Sequence, residues 1–310
     1  MNKKYMKKFN RVSIIVLALV FTIGLAGLVR ATLAPGTVDL GTADNFAVLA
    51  GSAITDSAVD AGIDIIGDVG LHPTGGASIT GLTCAQITGT LYDNNAGYAG
   101  GGGCLITDLG GVATLQPAKD DLVAAYTFAA AQIALPDVPT ELGGTTKSPG
   151  VYHSAAGTFA ITGGTTLTLD GGGDPDAVFI FKADTTLDTT GAGNSVLLTN
   201  GAQACNVFWQ VGTSATLDTT TTFVGTIMAR ASITDAGGST VVGRLLADAD
   251  DNTAGAVTLS DTTVTVPSCA PSLILNKTVD NTGGGTAVDT DWTLTATGAG
   301  GSPTNLSGTD

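Results

Sequence analysis

Aspartates, two histidines and four cysteines are the side chains of this 310-residue chain that could do chemistry. Carboxylate pairs cleave polysaccharides in many enzymes, and aspartate-rich loops such as 170–176 and 248–252 can hold Ca²⁺. Neither loop has the spacing of an EF-hand, and His72 and His153 are the only histidines that could assist catalysis. The sequence therefore predicts no catalytic residue, no metal site and no cofactor.

The N-terminal segment, 1–31, has the composition of a secretory signal. A basic stretch precedes an uncharged, mainly apolar run at 12–29, and Val29-Arg30-Ala31 offers small or β-branched residues to a signal peptidase. The basic residues at its start are Lys3, Lys4, Lys7, Lys8 and Arg11. We expect cleavage near Ala31 or Ala34; the alternative is an uncleaved anchor, because an apolar run of this length can just span a bilayer. Both place the bulk of the chain in the extracellular space or at the cell surface.

Removing this signal peptide makes the chain strongly acidic. Six basic residues then face 27 acidic ones, and all of the acids except Glu141 are aspartates. Such a charge disfavours nucleic acid and anionic membrane as partners. We expect no nucleic-acid partner and no membrane contact beyond the leader.

Four cysteines remain after the leader, and an even number in an exported chain suggests two disulfides. Cys84 and Cys104 enclose a short glycine-rich loop, so we predict that they pair, which leaves Cys205 with Cys269. Four cysteines allow three pairings in all. A zinc site is the alternative, but the chain has no CxxC motif.

One segment, at about 116–134, is predicted to be a long helix. Pro117 suits a first turn and Pro136 ends the pattern. Apolar residues recur there at three- and four-residue steps: Leu115, Ala118, Leu122, Tyr126 or Ala125, Ala129 and Ile133. This face should pack against a neighbouring element, with Lys119, Asp120 and Asp121 toward water.

The rest of the chain alternates with period two and repeats. Four apolar segments are each followed by a threonine-rich one; the apolar segments are 177–183, 206–211, 223–229 and 241–247, and their partners are 185–188, 215–218, 232–235 and 256–260. Val207, Val224 and Val242 hold equivalent places in three successive apolar segments. The resulting period near 18 predicts the stacked coils of a β-helix, with a β-sandwich as the competing fold. The segment 35–83 is a more irregular β region that could complete one end of the stack.

The composition changes again after Cys269. Segments 273–279 and 291–297 flank a glycine-rich turn and are predicted to form a hairpin. Two strands alone are rarely stable, so we interpret 271–310 as the incomplete start of a further β module, after a domain at 35–269.

Several segments, in this order, resemble the microbial ice-binding protein family over about 37–267. They are LGTADNFAVLAGS (40–52), GDVG (67–70), GTLY (89–92), SPGVY (148–152), DPDAVFIF (174–181), NVFWQV (206–211) and GRLLA (243–247). The resemblance implies a mainly β fold: an irregular right-handed parallel β-helix of triangular section with one long α-helix alongside. The tail at 271–310 resembles the start of the prealbumin-like repeats of surface adhesins.

The family resemblance makes adsorption to ice the expected function, either to slow recrystallisation or to hold a cell to ice. Threonine suits such a surface because its methyl and hydroxyl groups are shallow and its χ1 is stiff. If Leu187, Leu217, Ile233 and Leu259 point inward, one outward ladder contains Thr186, Thr216, Thr234 and Thr258, with Ser260 on the same face. Asp188 and Asp218 lie on the same face, and they argue against a weakly hydrated plane because an ionised carboxylate binds liquid water strongly. Asp235 falls where an inward apolar residue is expected. The alternative is a cell-surface adhesin or structural protein with a cell-surface or matrix partner.

Overall fold

The computed structural model describes residues 35–58, 64–250 and 255–269, residue 286, and the strands at 294–297 and 305–308. The predicted leader at 1–31 lies outside the described residues, as does most of the predicted module at 271–310. Within the described part, no helix has the length and hydrophobicity needed to cross a bilayer.

The described elements are short strands, one α-helix and five 3-10 turns. The strands are β1 (Phe46–Ala50), β2 (Ala53–Asp56), β3 (Ile65–Ile66), β4 (Asp68–Leu71), β5 (Ile79–Thr80), β6 (Ile87–Thr88), β7 (Leu91–Asp93), β8 (Leu105–Thr107), β9 (Thr146–Lys147), β10 (Gly150–His153), β11 (Phe159–Thr162), β12 (Thr166–Asp170), β13 (Phe179–Ala183), β14 (Leu187–Thr190), β15 (Ser195–Thr199), β16 (Val207–Val211), β17 (Ala215–Leu217), β18 (Thr222–Ala229), β19 (Ile233–Asp235), β20 (Thr240–Ala247), β21 (Ala256–Leu259), β22 (Thr263–Thr265), β23 (Leu294–Thr297) and β24 (Asn305–Gly308). The helix, α1, is Leu115–Ala131, and the 3-10 turns are Gly41–Asn45, Gly76–Ser78, Cys84–Gln86, Leu109–Gly111 and Ala204–Asn206.

Parallel pairing stacks β1–β22 into the three faces of a β-helix, which confirms the predicted fold. The helix face follows the order β10-β13-β16-β18-β20-β1-β4-β7-β8. The seven-stranded face follows β11-β14-β17-β19-β21-β2-β5. The third face contains β9, β12, β15, the first halves of β18 and β20, and then β22, β3 and β6.

The predicted repeat is confirmed, because β13, β16, β18 and β20 are adjacent rungs. The N-terminal segment does not start the stack in chain order. Instead, β1 pairs with β20, β2 with β21 and β3 with β22. The coils formed by 46–107 therefore extend the stack beyond the last coil of the C-terminal half.

β18 and β20 each bend at a glycine where the third face meets the helix face. Gly225 and Gly243 lie directly opposite each other in register. A Cβ on Gly243 would sit 1.9 Å from the carbonyl oxygen of Gly225, so no larger residue fits there without a backbone shift.

The interior of the stack is filled by one apolar cluster, and its large aromatic rings stack from rung to rung. Phe181 and Trp209 have ring centroids 4.1 Å apart, and Tyr152 stacks on Phe181 at 5.1 Å. Trp209 also donates its indole N–H to the carbonyl of Val224 at 3.0 Å. Trp209 and Phe208 are both buried, Trp209 in the interior and Phe208 beneath the helix, so both side chains pack in the two cores.

The helix lies alongside the stack, as predicted, and buries its apolar face in a second cluster with β1, β13, β16 and β20. Two details of the prediction were wrong. The helix ends at Ala131, so Ile133 lies beyond it and is 92% exposed. Lys119 is completely buried, because its ammonium group donates to the carbonyl of Asp248 at 2.6 Å and to the Asp248 carboxylate at 3.0 Å.

The predicted disulfide between Cys84 and Cys104 is present, and it ties the loop that precedes β8. Cys205 and Cys269 are disulfide-bonded as well. The chain divides into two compact units, of which the second is Cys269–Asp310. In this unit β23 pairs with β24 in antiparallel register, while the predicted strand at 273–279 lies outside the described residues.

Replacing Lys119 by methionine should leave the Asp248 carboxylate buried without its cation. We expect the free energy of unfolding of Lys119→Met to fall by about 3–5 kcal/mol, measured by urea denaturation. The matched variant Lys147→Met changes a partly exposed lysine and should stay within about 0.5 kcal/mol of the parent chain. Equal midpoints for the two variants would contradict a structural role for the buried pair.

Candidate functional site

One outward row of side chains crosses all seven strands of the seven-stranded face. Strand register places its members directly over one another, in the order Ala160, Asp188, Thr216, Thr234, Thr258, Thr55 and Thr80. The last five are threonines on consecutive rungs, and we call them the five-threonine row. The residue that precedes each of these threonines is apolar and buried, which is the alternation expected of a strand with one buried side.

The geometry of the row follows from the strands that carry it. Adjacent parallel strands lie about 4.8 Å apart, so the hydroxyls recur at that interval along the stack. Thr216 and Thr80 are exposed at the two ends of the row, and the three threonines between them are partly exposed. The hydroxyls of Thr80 and Thr55 lie 3.4 Å apart, a weak hydrogen bond across neighbouring rungs.

The structure brings three of the predicted threonines together and excludes the fourth. Thr216, Thr234 and Thr258 share the row, but Thr186 does not. Leu187 pairs with Ala215 rather than Leu217, which puts Thr186 beside Ser214, two residues upstream of the row. The predicted ladder was wrong at Thr186 because it aligned Leu187 with Leu217, whereas the strands pair Leu187 with Ala215. Ser260 lies in the turn directly after β21 and is partly exposed.

Thr55 and Thr80 belong to the row and were missed by the sequence analysis. Their strands precede α1, and nothing in the repeat of the C-terminal half indicates that β2 pairs with β21. A local signal was present nonetheless. Ala-Ile-Thr-Asp at 53–56 repeats Ser-Ile-Thr-Asp at 232–235, and Ser-Ile-Thr recurs at 78–80.

Two aspartates of this face differ in their surroundings. Asp188 occupies a position in the outward row, beside Thr216. Asp218 lies just beyond β17, where its carboxylate accepts the N–H groups of Thr219 and Gly191, each at 2.7 Å. These backbone hydrogen bonds, that of Thr219 first, lower the pKa of Asp218. Its charge is thus held at the corner of the coil.

Asp235 points inward, beneath the five-threonine row. It is 2% exposed between Leu217 and the following rung, and its carboxylate accepts the hydroxyl of Thr262. Burial raises the pKa of this carboxyl, against hydrogen bonds that lower it. A buried acid thus lies directly beneath the uncharged threonines of the row.

The two histidines do not form a common site. His72 is buried and lies 2.8 Å from Gln116 through Nε2. His153 lies on β10, six strands in the sheet order from β4, the strand that directly precedes His72. The ring of His153 lies between Asp137, at 2.7 Å, and Asp184, at 3.0 Å. The hydrogen bond to Asp137, followed by that to Asp184, raises the pKa of His153. Among the described residues, no group of three or more His, Cys, Asp or Glu side chains is arranged to hold a metal ion.

A sequence model of the ice-binding-like family matches residues 48–265. Ice-binding protein 1 of Shewanella frigidimarina (strain NCIMB 400) is 36% identical over an alignment of 246 residues that covers 75% of this chain and 27% of that protein. An ice-binding protein of Nostoc sp. (strain HG1) is 37% identical over 230 residues, 74% of each chain. The crystal structure of an ice-binding protein from the Antarctic ascomycete Antarctomyces psychrotrophicus is 35% identical with a TM-score of 0.58, covering 74% of this chain and 98% of that one.

Neutralising Asp235 should change the stability of the fold in a pH-dependent way. Because its pKa is raised in the folded state, its contribution to stability is present below about pH 3.9, the value of a free carboxyl, and is lost as the pH rises through the folded-state pKa. We expect Asp235→Asn to melt at a higher temperature than the parent at pH 7 and to show no such gain at pH 3. Calorimetry at both pH values measures this, and an equal effect at both would contradict it.

Proposed function

This chain belongs to the ice-binding-like family, and from that premise we propose that it adsorbs to ice through the seven-stranded face. The observation that carries the proposal is the five-threonine row, which lies within the region matched by the family model. Adsorption of this kind slows recrystallisation or holds a cell to ice. Export through the leader at 1–31 would place the protein where extracellular ice forms.

The chemistry of the row suits a neutral crystal of water. Ice presents neither a charge nor a pocket, so a protein can hold it only with a flat array of groups that order water as the lattice does. Each threonine offers a methyl group that binds liquid water only weakly, and a hydroxyl that both donates and accepts hydrogen bonds. Along the row these groups recur with the rung spacing of about 4.8 Å.

The scaffold makes the row rigid before it meets ice. Ile233, Val257 and Ile54, the inward neighbours on three successive rungs, are completely buried. A threonine on a strand has few χ1 rotamers to lose, so adsorption costs little side-chain entropy. Because the threonines of the row are rigid and in register, their individually weak contacts with ice can all form at the same time.

Asp188 marks one end of the proposed surface. It follows Thr216 in the row, and Ala160 takes the next position. An ionised carboxylate binds liquid water strongly and disrupts an ice-like layer. The proposed surface therefore runs from Thr216 to Thr80 and stops at β14.

A bulky residue in the middle of the row should remove most of the activity. Thr258 has two threonines on each side, so Thr258→Tyr should lift the surface off ice along its whole length. We expect thermal hysteresis, measured by nanolitre osmometry, to fall by more than half. Thr127→Tyr, on the exposed side of α1, is the matched control and should keep full activity. If both variants behave alike while circular dichroism shows them folded, the row is not the adsorbing surface.

Replacing the carboxylate at the end of the row should extend the surface. Asp188→Thr would give six consecutive threonines, so we expect higher thermal hysteresis than in the parent chain. Asp176→Thr, in the exposed turn before β13, makes the same change in net charge away from the row. A gain shared equally by both variants would mean that charge, and not the row, is responsible.

A further inference from the structure

The third face carries a second row of hydroxyl side chains. In stack order, and paired in register on five consecutive rungs, they are Thr166, Ser195, Thr222, Thr240 and Thr263. Thr222 and Thr240 are exposed, and the other three are partly exposed. Thr166 and Ser195 lie 2.6 Å apart through their hydroxyl oxygens.

A parallel row of apolar and threonine side chains lies beside it. Val242, Thr265, Ile66 and Thr88 follow one another in register on β20, β22, β3 and β6. Val242 is 36% exposed and Ile66 is 43% exposed, so this row presents apolar surface to the solvent. None of the nine residues in the two rows is charged, in a chain with 27 acidic residues.

Each coil supplies both surfaces across one corner. Thr216 and Thr222 belong to one coil, and Thr234 and Thr240 to the next. Buried polar side chains hold the turns between them: the hydroxyls of Thr189 and Thr221 lie 3.0 Å apart, and Asn194 accepts the N–H of Gly164 at 2.9 Å. The third face is therefore continuous with the proposed surface and has the same rungs, spacing and rigidity.

The dimensions of this neutral face decide what could cover it. The two rows overlap on β20 and β22, and their nine residues, spaced at about 4.8 Å between rungs and about 6.7 Å between rows, cover an area of about 300 Å². A stable protein interface needs about 800 Å² per partner, so a second copy or another protein would bind poorly here. A crystal of water needs no opposite charge and matches alternating hydroxyl and apolar groups.

We propose that the third face is a second ice-adsorbing surface, so that one molecule recognises two sets of ice planes. This inference rests on the proposed function and adds to it a second site, centred on Thr222, Thr240 and Thr263. The two faces meet at an angle, so a molecule seated on a flat crystal plane uses one face at a time.

The test compares single and double variants on both faces. Fluorescently labelled parent chain, Thr240→Tyr, Thr258→Tyr and the double variant are adsorbed to a single-crystal ice hemisphere, with Thr127→Tyr as the control. We expect the parent to label two sets of planes, each single variant to lose one set and part of the thermal hysteresis, and the double variant to label none. Melting curves by circular dichroism confirm that all variants are folded.

The outcomes separate this inference from the proposed function. If Thr240→Tyr keeps the planes and the hysteresis of the control while Thr258→Tyr loses both, the second site is overturned and the proposed function stands. If Thr240→Tyr alone abolishes all adsorption, the inference of two surfaces is overturned together with the seven-stranded face as the site, and the third face is the one adsorbing surface. If the parent labels no plane, both proposals fall. If sedimentation shows a dimer that Thr240→Tyr dissociates, the third face is a protein interface and the inference is overturned.

Discussion

Parallel pairing between segments that are far apart in the chain joins the two halves of the stack, and the rest of the structure depends on it. It occurs once on every face: β1 on β20, β2 on β21, and β3 on β22. Each half alone would end in an open strand edge with unpaired backbone groups. The junction also makes the five-threonine row, because it sets Thr55 directly beside Thr258.

The long helix is a consequence of this connection. The chain leaves the N-terminal coils at β8, at one end of the helix face, and must restart at β9 and β10, at the other end. Seventeen helical residues cover about 25 Å, enough to run along much of the stack while covering the apolar outer side of the helix face. Two buried cations hold the junction beneath it. Lys119 binds Asp248 just after β20, and Arg244 within β20 donates to Asp44 just before β1, at 2.6 Å.

The sequence predicts the fold well because the fold follows local patterns. Alternating strands, a regular repeat and a helix bounded by Pro117 and Pro136 each have a physical cause within a single coil or a single helix. The exact register between neighbouring rungs was harder to predict. Aligning Val207 with Val224 would set Phe208 beside Gly225, whereas Phe208 pairs with Thr226. A slip of two positions within a strand keeps the alternation intact and still moves a threonine out of its row, as it did for Thr186.

Long-range contacts explain what the sequence did not predict. Lys119 directly precedes two aspartates on a helix, as a solvent-facing residue would, but its partner is 129 residues away. The same holds for Thr55, which pairs with Thr258 in the other half of the chain and connects Thr80 to the row. Pattern analysis identifies which side of an element is apolar; it does not identify which distant backbone carbonyls will surround a given side chain.

The many aspartates of the chain are better explained by the turns between strands than by the three faces of the β-helix. Burial would raise the pKa of Asp93, but N–H groups of Asn95, Tyr98 and Gly76 donate to its carboxylate and bring the pKa below its usual value. Asp108 accepts the N–H groups of Thr114 and Leu115 at the start of α1, with the same net effect on its pKa. Each three-sided coil needs three corners, and aspartate fixes a corner because its side chain satisfies backbone groups that no strand can reach. Charges placed at such corners lie outside the five-threonine row, so a strongly acidic chain can still present a neutral row.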